Sequence, residues 1–127
     1  MRYLSLGLLS VFSVYTFGDG VSCREFNSRA EEFRQHLPIL YGDGLEFRRH
    51  DTNCKSKIIT DHLYYKTKYR EEIYADNLRF EQDQWVQSQC DIKGMSFHGW
   101  TYVKKYYDRH GVFVYSIVSM PEMCSRE

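Results

Sequence analysis

Apolar residues recur at helical spacing in the stretch that follows Ser22. Phe26, Ala30 and Phe33 fall on one side of a 3.6-residue period, and charged residues occupy the other side. Ser22, followed three positions later by Glu25, has the form of a helix-start capping box. The pattern therefore predicts a first helix, which ends before the proline at position 38.

Alternation of apolar and polar side chains indicates strands later in the chain. A short strand is predicted from Leu45 to His50, and a longer one from Lys57 to Tyr69, where Ile and Tyr alternate with Lys and Arg. The clearest hairpin joins Trp100–Tyr107 to Val112–Ser119 through an Asp-Arg-His-Gly turn. A second helix is predicted from about Asp76 to Cys90.

The predicted order is helix, strand, strand, helix, strand, strand. This order favours an α+β fold in which an antiparallel sheet carries the helices on one face. Residues 23–127 suffice for a single domain, and an aromatic content of 17% supplies a large buried area.

The first 22 residues have the layout of a secretory signal peptide. Arg2 precedes an apolar run from Leu4 to Phe17, and small residues place the cleavage site between residues 18 and 22. The run is shorter than the roughly 20 residues of a membrane span. We therefore expect an exported protein, periplasmic or secreted, with no membrane span after cleavage. A lipoprotein signal ending at Cys23 is the alternative, which the lack of a large aliphatic residue three positions earlier disfavours.

Four cysteines remain after export: Cys23, Cys54, Cys90 and Cys124. None forms a Cys-x-x-Cys motif for zinc or thiol exchange, and an oxidising compartment favours disulfides. Three pairings are possible. We favour Cys23 with Cys54 and Cys90 with Cys124, each closing a loop of about 30 residues worth about 3 kcal/mol.

The charge balance and the motifs exclude several function classes. With 17 basic and 17 acidic residues, the chain is not expected to bind nucleic acid by bulk charge. No nucleophile turn, phosphate loop or metal-ligand spacing stands out, so we expect no catalytic residues, no metal and no cofactor. The competing hypothesis is a small secreted hydrolase or nuclease that uses His50 or His62 with an acidic neighbour.

Aromatic and basic residues lie together on the predicted strands and define a candidate binding surface. Aromatic rings supply contact area, and Lys or Arg orient a partner. A solvated sheet face without a partner is the alternative. The surface is assigned to Tyr102, Lys104, Tyr106, Asp108, Arg109 and His110, and it is extended by Tyr64, Lys66, Lys68, Arg70 and Lys105.

The stretch from Tyr102 to Val112, with the closing Cys124, resembles the C-terminal hairpin of small uncharacterised exported bacterial proteins. In that group a cysteine ends the preceding helix, as Cys90 does here, and pairs with the last cysteine. The Leu-Pro step after the first helix is also similar. The resemblance implies an α+β domain of the cell envelope and no shared activity.

These observations favour a non-enzymatic exported protein of the bacterial envelope that binds another protein. It would be an inhibitor or immunity protein against a toxin or wall hydrolase, or an accessory factor of an envelope complex. An inhibitor would insert the hairpin tip, Asp108 to Gly111, into its target. A host-directed secreted effector is a third possibility.

Overall fold

A five-stranded sheet that carries two helices forms the framework of the protein. The computed structural model describes residues 22–73 and 78–124. The elements are α1 (Cys23–Arg34), β1 (Ile39–Leu40), β2 (Leu45–Asn53), β3 (Ile58–Tyr65), α2 (Leu78–Gln89), β4 (Thr101–Tyr107) and β5 (Phe113–Ser119). The predicted α+β class is therefore confirmed. Residues 1–21 lie outside the described part of the chain, and the signal peptide stays a prediction.

The sheet is mixed, which corrects the fully antiparallel arrangement expected from the sequence. The strand order is β1-β2-β3-β4-β5, and β3 pairs with β4 in parallel whereas the other neighbours are antiparallel. The reason is the connection between β3 and β4. This connection contains α2, which returns the chain along the sheet, so that β4 starts at the same end as β3.

Both helices pack on the same face of the sheet. The first helix begins at Ser22, whose hydroxyl accepts the backbone N–H of Glu25 at 3.1 Å, as the capping signal predicts. Phe26 of α1 packs against Trp100, with 4.5 Å between ring centroids. Trp85 of α2 donates its indole N–H to the backbone oxygen of Tyr102 at 3.0 Å. We call the face beneath the helices the covered face.

One side chain from each helix caps an open backbone edge of the sheet, which lies on β5 and on the part of β2 that extends past its pairing with β1. Arg34 of α1 donates through Nε to the backbone oxygen of His50 on β2 at 2.6 Å. Gln82 of α2 accepts the backbone N–H of Val118 on β5 at 2.9 Å and donates to its oxygen at 2.5 Å. Each contact satisfies polar backbone groups that an edge strand otherwise exposes.

Two disulfides fasten the helices to the sheet and confirm the favoured pairing. The Cys23–Cys54 bond joins the start of α1 to the turn after β2, and the Cys90–Cys124 bond joins the end of α2 to the chain after β5. Because the sulfur of Cys23 is bonded to Cys54, it is not available for the thioether of a lipoprotein. Within residues 22–73 and 78–124, no helix has the length and apolar character needed to cross a membrane.

Candidate functional site

The face of the sheet opposite the helices carries a regular grid of side chains, and we call it the open face. Because residues paired across neighbouring strands point to the same side, the strand register defines its rows. One row joins Glu46, Tyr64, Tyr107 and Phe113, and the next joins Arg49, His62, Lys105 and Ser116. The third row joins Asp51, Thr60, Val103 and Val118.

The covered face holds a buried polar network. Asp61 accepts the Nδ1–H of His50 at 2.6 Å and the hydroxyl of Tyr102 at 2.7 Å. His50 is 2% exposed and Asp61 is 3% exposed. Burial, together with the charge of Asp61, raises the pKa of Tyr102 well above its usual value. The network is enclosed by the hydrophobic core, where the rings of Phe33 and Phe47 also face His50.

A second histidine network lies on the open face. His62 contacts Asp51 through Nε2 at 3.0 Å and the hydroxyl of Tyr107 through Nδ1 at 2.6 Å. Arg49 also pairs with Asp51 at 3.1 Å. Partial burial raises the pKa of the Asp51 carboxyl, but hydrogen bonds from Arg49 and His62 outweigh this and hold the pKa below its ordinary value.

The two histidines belong to opposite faces, and each pairs with an acidic residue, His50 with Asp61 and His62 with Asp51. Because His50 is buried, the competing hypothesis of a hydrolase or nuclease that uses His50 or His62 with an acidic neighbour is limited to the His62 pair. His50 pairs with Asp61 and not with its sequence neighbour Asp51, because successive strand residues point to opposite sides. His50 and His62 therefore do not converge on one substrate. A general acid or base must reach the proton that it transfers, and His50 is enclosed in the core.

An aromatic row crosses the open face over four strands. The Arg48 guanidinium lies 4.3 Å from the centroid of the Tyr64 ring, and Tyr64 stacks on Tyr107 at 4.4 Å with an angle of 11° between the rings. Phe113 meets Tyr107 edge-on at 6.0 Å. The row ends at Phe113, whose side chain is 47% exposed and offers an aromatic ring for contact with a partner.

The structure corrects the placement of three residues of the predicted surface. Tyr102, Lys104 and Tyr106 share one side of β4, as the alternation requires, but this side is the covered face. Tyr102 and Tyr106 are buried in the core. The ammonium of Lys104 lies 4.2 Å from the centroid of the Trp85 ring, and its burial lowers its pKa despite the opposing effect of Asp61 and Glu81. These three side chains are covered by the helices and do not form an exposed surface.

The hairpin turn keeps two of its predicted site residues in solvent. Asp108 is buried, and its carboxylate accepts the backbone N–H of His110 at 2.8 Å and of Val112 at 2.9 Å. These hydrogen bonds, from Val112 first, lower the pKa of Asp108. Arg109 and His110 are exposed and lie beside Tyr69. The Arg109 guanidinium lies 4.7 Å from the centroid of the Tyr69 ring. Asp108 thereby fixes the shape of the hairpin tip, from which Arg109 and His110 extend beside Tyr69.

The sequence reasoning missed Arg48, Arg49 and Phe113. The two-residue alternation could have placed Arg49 on the open face, but Arg48 and Phe113 lie where the strand register shifts and the alternation is interrupted. Lys66, Lys68 and Arg70, which the prediction assigned to the same strand, follow the end of β3 and lie outside the sheet. In the described part of the chain, no group of three or more His, Cys, Asp and Glu side chains is arranged to hold a metal ion.

Comparison with solved structures identifies the fold class. The chain shares its fold with the pilotin EpsS of the Vibrio vulnificus type 2 secretion system, with a TM-score of 0.55 and 19% identity over 79% of this chain and 88% of that one. The pilotin AspS of the Vibrio cholerae type II secretion system gives a TM-score of 0.51 and 20% identity, covering 76% and 86% of the two chains.

A protein of Pseudomonas aeruginosa that is classed as secreted has the same fold, with a TM-score of 0.61 and 15% identity over 84% of this chain and all of that one. No protein-family model matches the sequence, and no curated protein matches it significantly. At these identities the likeness establishes the fold, and it agrees with the predicted resemblance to exported bacterial α+β proteins.

Proposed function

We propose that this protein is a non-enzymatic accessory factor of a bacterial envelope complex and that it binds a protein partner through the open face and the hairpin tip. The observation that carries the proposal is the division of the sheet into two faces. The helices bury one face, whereas the other presents a row of aromatic and cationic side chains that ends in the exposed Phe113. Aromatic residues and arginine are the groups that protein interfaces favour.

The fold supports the accessory role over the inhibitor or immunity role. Two solved proteins with this fold, EpsS and AspS, are pilotins of type 2 secretion systems. No comparison connects the fold with toxin inhibition. The His50–Asp61 pair is buried in the core and therefore does not face a substrate. This favours a protein that works by binding.

Cys23 is the residue that a lipoprotein signal would modify with lipid, but here it forms a disulfide. Since Cys23 is bonded to Cys54, we propose that the exported chain carries no lipid at Cys23 and reaches its complex through protein contacts. Mass spectrometry of the intact exported protein should give a mass without acyl chains. A thioether-linked diacylglycerol at Cys23 would contradict this part of the proposal.

The proposal is tested by site-specific photo-crosslinking in cells that express the protein. A photoreactive phenylalanine analogue replaces Phe113 on the open face or, as the matched control, Phe80, which is 64% exposed on α2. We expect one prominent adduct with an envelope protein from position 113 and none of that mass from position 80. Identical adducts from both positions, or adducts from position 80 alone, would refute the assignment to the open face.

A further inference from the structure

Three side chains that are cationic, or become so on protonation, form a straight line across the middle of the open face. Arg49 pairs with His62 across β2 and β3, and His62 pairs with Lys105 across β3 and β4. Ser116 on β5 extends the line, because it pairs with Lys105. We call Arg49, His62 and Lys105 the basic stripe.

Among the described residues, the negative charge that contacts the stripe comes from one carboxylate, because Glu46 of the neighbouring row pairs with Arg48. Asp51 binds both Arg49 and His62, at 3.1 Å and 3.0 Å. Lys105 forms no ion pair with any residue among 22–73 and 78–124. The stripe therefore has an excess of positive charge at its Lys105 end, beside the hydroxyl-bearing Ser116.

At the β4–β5 end of the stripe, apolar groups border it on both sides. The aromatic row with Tyr107 and Phe113 lies along one side, and Val103 and Val118, paired with each other, lie along the other. A ligand that fits all three rows has anionic groups in its centre and apolar groups at its margins. An extended peptide that crosses the strands meets the central requirement when every second residue is acidic, since alternate side chains point to the same side and its carboxylates then lie along the stripe.

The packing of the tyrosines favours a protein segment over a glycan or a nucleic acid. Sugars and bases bind to the open faces of aromatic rings. Here Tyr64 has Arg48 on one side and Tyr107 stacked on the other. A peptide carboxylate requires only the cations of the stripe, which bind it through charge-assisted hydrogen bonds.

We propose that the basic stripe binds a carboxylate-rich segment of the protein partner, with Lys105 as its main unpaired cation. This inference rests on the proposed function and adds the chemistry of the partner to it. Electrostatic complementarity of this kind determines specificity and association rate more than total affinity.

The test uses the oxidised, exported protein and two synthetic peptides. One peptide, acetyl-Asp-Val-Asp-Phe-Asp-Val-amide, carries three carboxylates, and its control has Asn at the same positions. Titration into the isotope-labelled protein is followed by NMR. We expect saturable shifts at the amides of His62 and Lys105 with the acidic peptide alone. Equal shifts with the two peptides would overturn the proposal.

Charge variants locate the contact. K105Q should weaken binding of the acidic peptide by about fivefold, and K105E by more than about tenfold, because it replaces attraction by repulsion. The control K93Q removes one positive charge from an exposed site outside the sheet and should leave the affinity unchanged. Equal losses in K105Q and K93Q would overturn the assignment to the stripe.

Two further results separate this inference from the proposed function. If the crosslinked adduct at position 113 persists unchanged in K105E, the partner binds the open face without the stripe, and the inference fails while the proposed function stands. Saturable binding of a heparin hexasaccharide at the stripe, with no binding of the acidic peptide, would overturn the inference in favour of an anionic glycan.

Discussion

Replacement of Asp61 by alanine should cost far more stability than replacement of any carboxylate on the open face. Asp61 accepts two hydrogen bonds, at 2.6 Å from His50 and 2.7 Å from Tyr102, and is 3% exposed. Removal of the carboxylate leaves both donors buried beside a cavity. Breaking a buried pair by removing one partner costs about 3–5 kcal/mol, so we expect a loss of this size in the free energy of unfolding.

The matched control is Asp51→Ala, which also removes a carboxylate that pairs with a histidine. Asp51 is 45% exposed at its side chain, and water can replace its contacts with His62 and Arg49. Exposed pairs contribute less than about 1 kcal/mol. The two variants therefore differ mainly in burial, and their difference measures the effect of burial on the same chemical pair.

The assay is urea unfolding at pH 7 with both disulfides intact, followed by the fluorescence of Trp85 and Trp100. The midpoint should fall strongly for D61A and slightly for D51A, at equal slopes. A double-mutant cycle of D61A with Y102F should give a coupling of more than about 1 kcal/mol. A loss in D61A no greater than that in D51A would refute the view that the buried network stabilises the core.

Three further predictions concern the edge of the sheet, the buried lysine and two glycines. Q82A should lower the free energy of unfolding by about 1–3 kcal/mol and accelerate hydrogen exchange at the Val118 amide, whereas unchanged exchange would contradict the edge cap. Folding lowers the pKa of Lys104 below its unfolded value of 10.5, so the unfolded state holds more protons in this alkaline range and stability rises with pH there. K104M should abolish that rise and increase the melting temperature at pH 7; a lower melting temperature would contradict it. G94A should destabilise by more than about 2 kcal/mol beyond G111A, as thermal unfolding can check. The new Cβ of G94A would lie 2.4 Å from a backbone oxygen, whereas that of G111A meets nothing within 4 Å and only the positive φ of 80° at this position opposes it.

The elements that the sequence predicted correctly are those determined by local interactions. The start of α1 follows from the hydroxyl of Ser22 and the helical spacing of Phe26 and Ala30, all within nine residues. The hairpin of β4 and β5 follows from alternation on both sides of a short turn, and Asp108 fixes that turn through its own neighbours. Such contacts span few residues, so a single sequence contains the information that specifies them.

The parallel pairing of β3 with β4 depends on contacts that the sequence does not show directly. Its residues are some 40 positions apart, as in the Ile58–Thr101 and His62–Lys105 pairs. The connection length alone admits either direction, and the outcome depends on where α2 packs. Trp85 places α2 over Tyr102, and this contact decides which side of β4 is covered.

The same contact explains why three residues of the predicted binding surface are covered and not exposed. Tyr102, Lys104 and Tyr106 have the composition of an interface, with two aromatic rings beside a cation. Tyrosine and lysine also line covered faces when their polar ends find partners, as the Tyr102 hydroxyl does at Asp61 and the Lys104 ammonium does at Trp85. Composition identifies an amphipathic strand, but the position of the helix determines which side of it remains exposed.

The capped edges of the sheet bear on how a partner would bind. Many proteins recruit a peptide by adding it as a strand to an exposed edge. Here Arg34 binds the backbone oxygen of His50 on β2, and Gln82 binds both backbone groups of Val118 on β5. Strand addition at these positions would first have to break those hydrogen bonds, each worth about 0.5–1.5 kcal/mol. A partner that docks side chains on the open face breaks none of them, and this is the binding mode on which the proposed function relies.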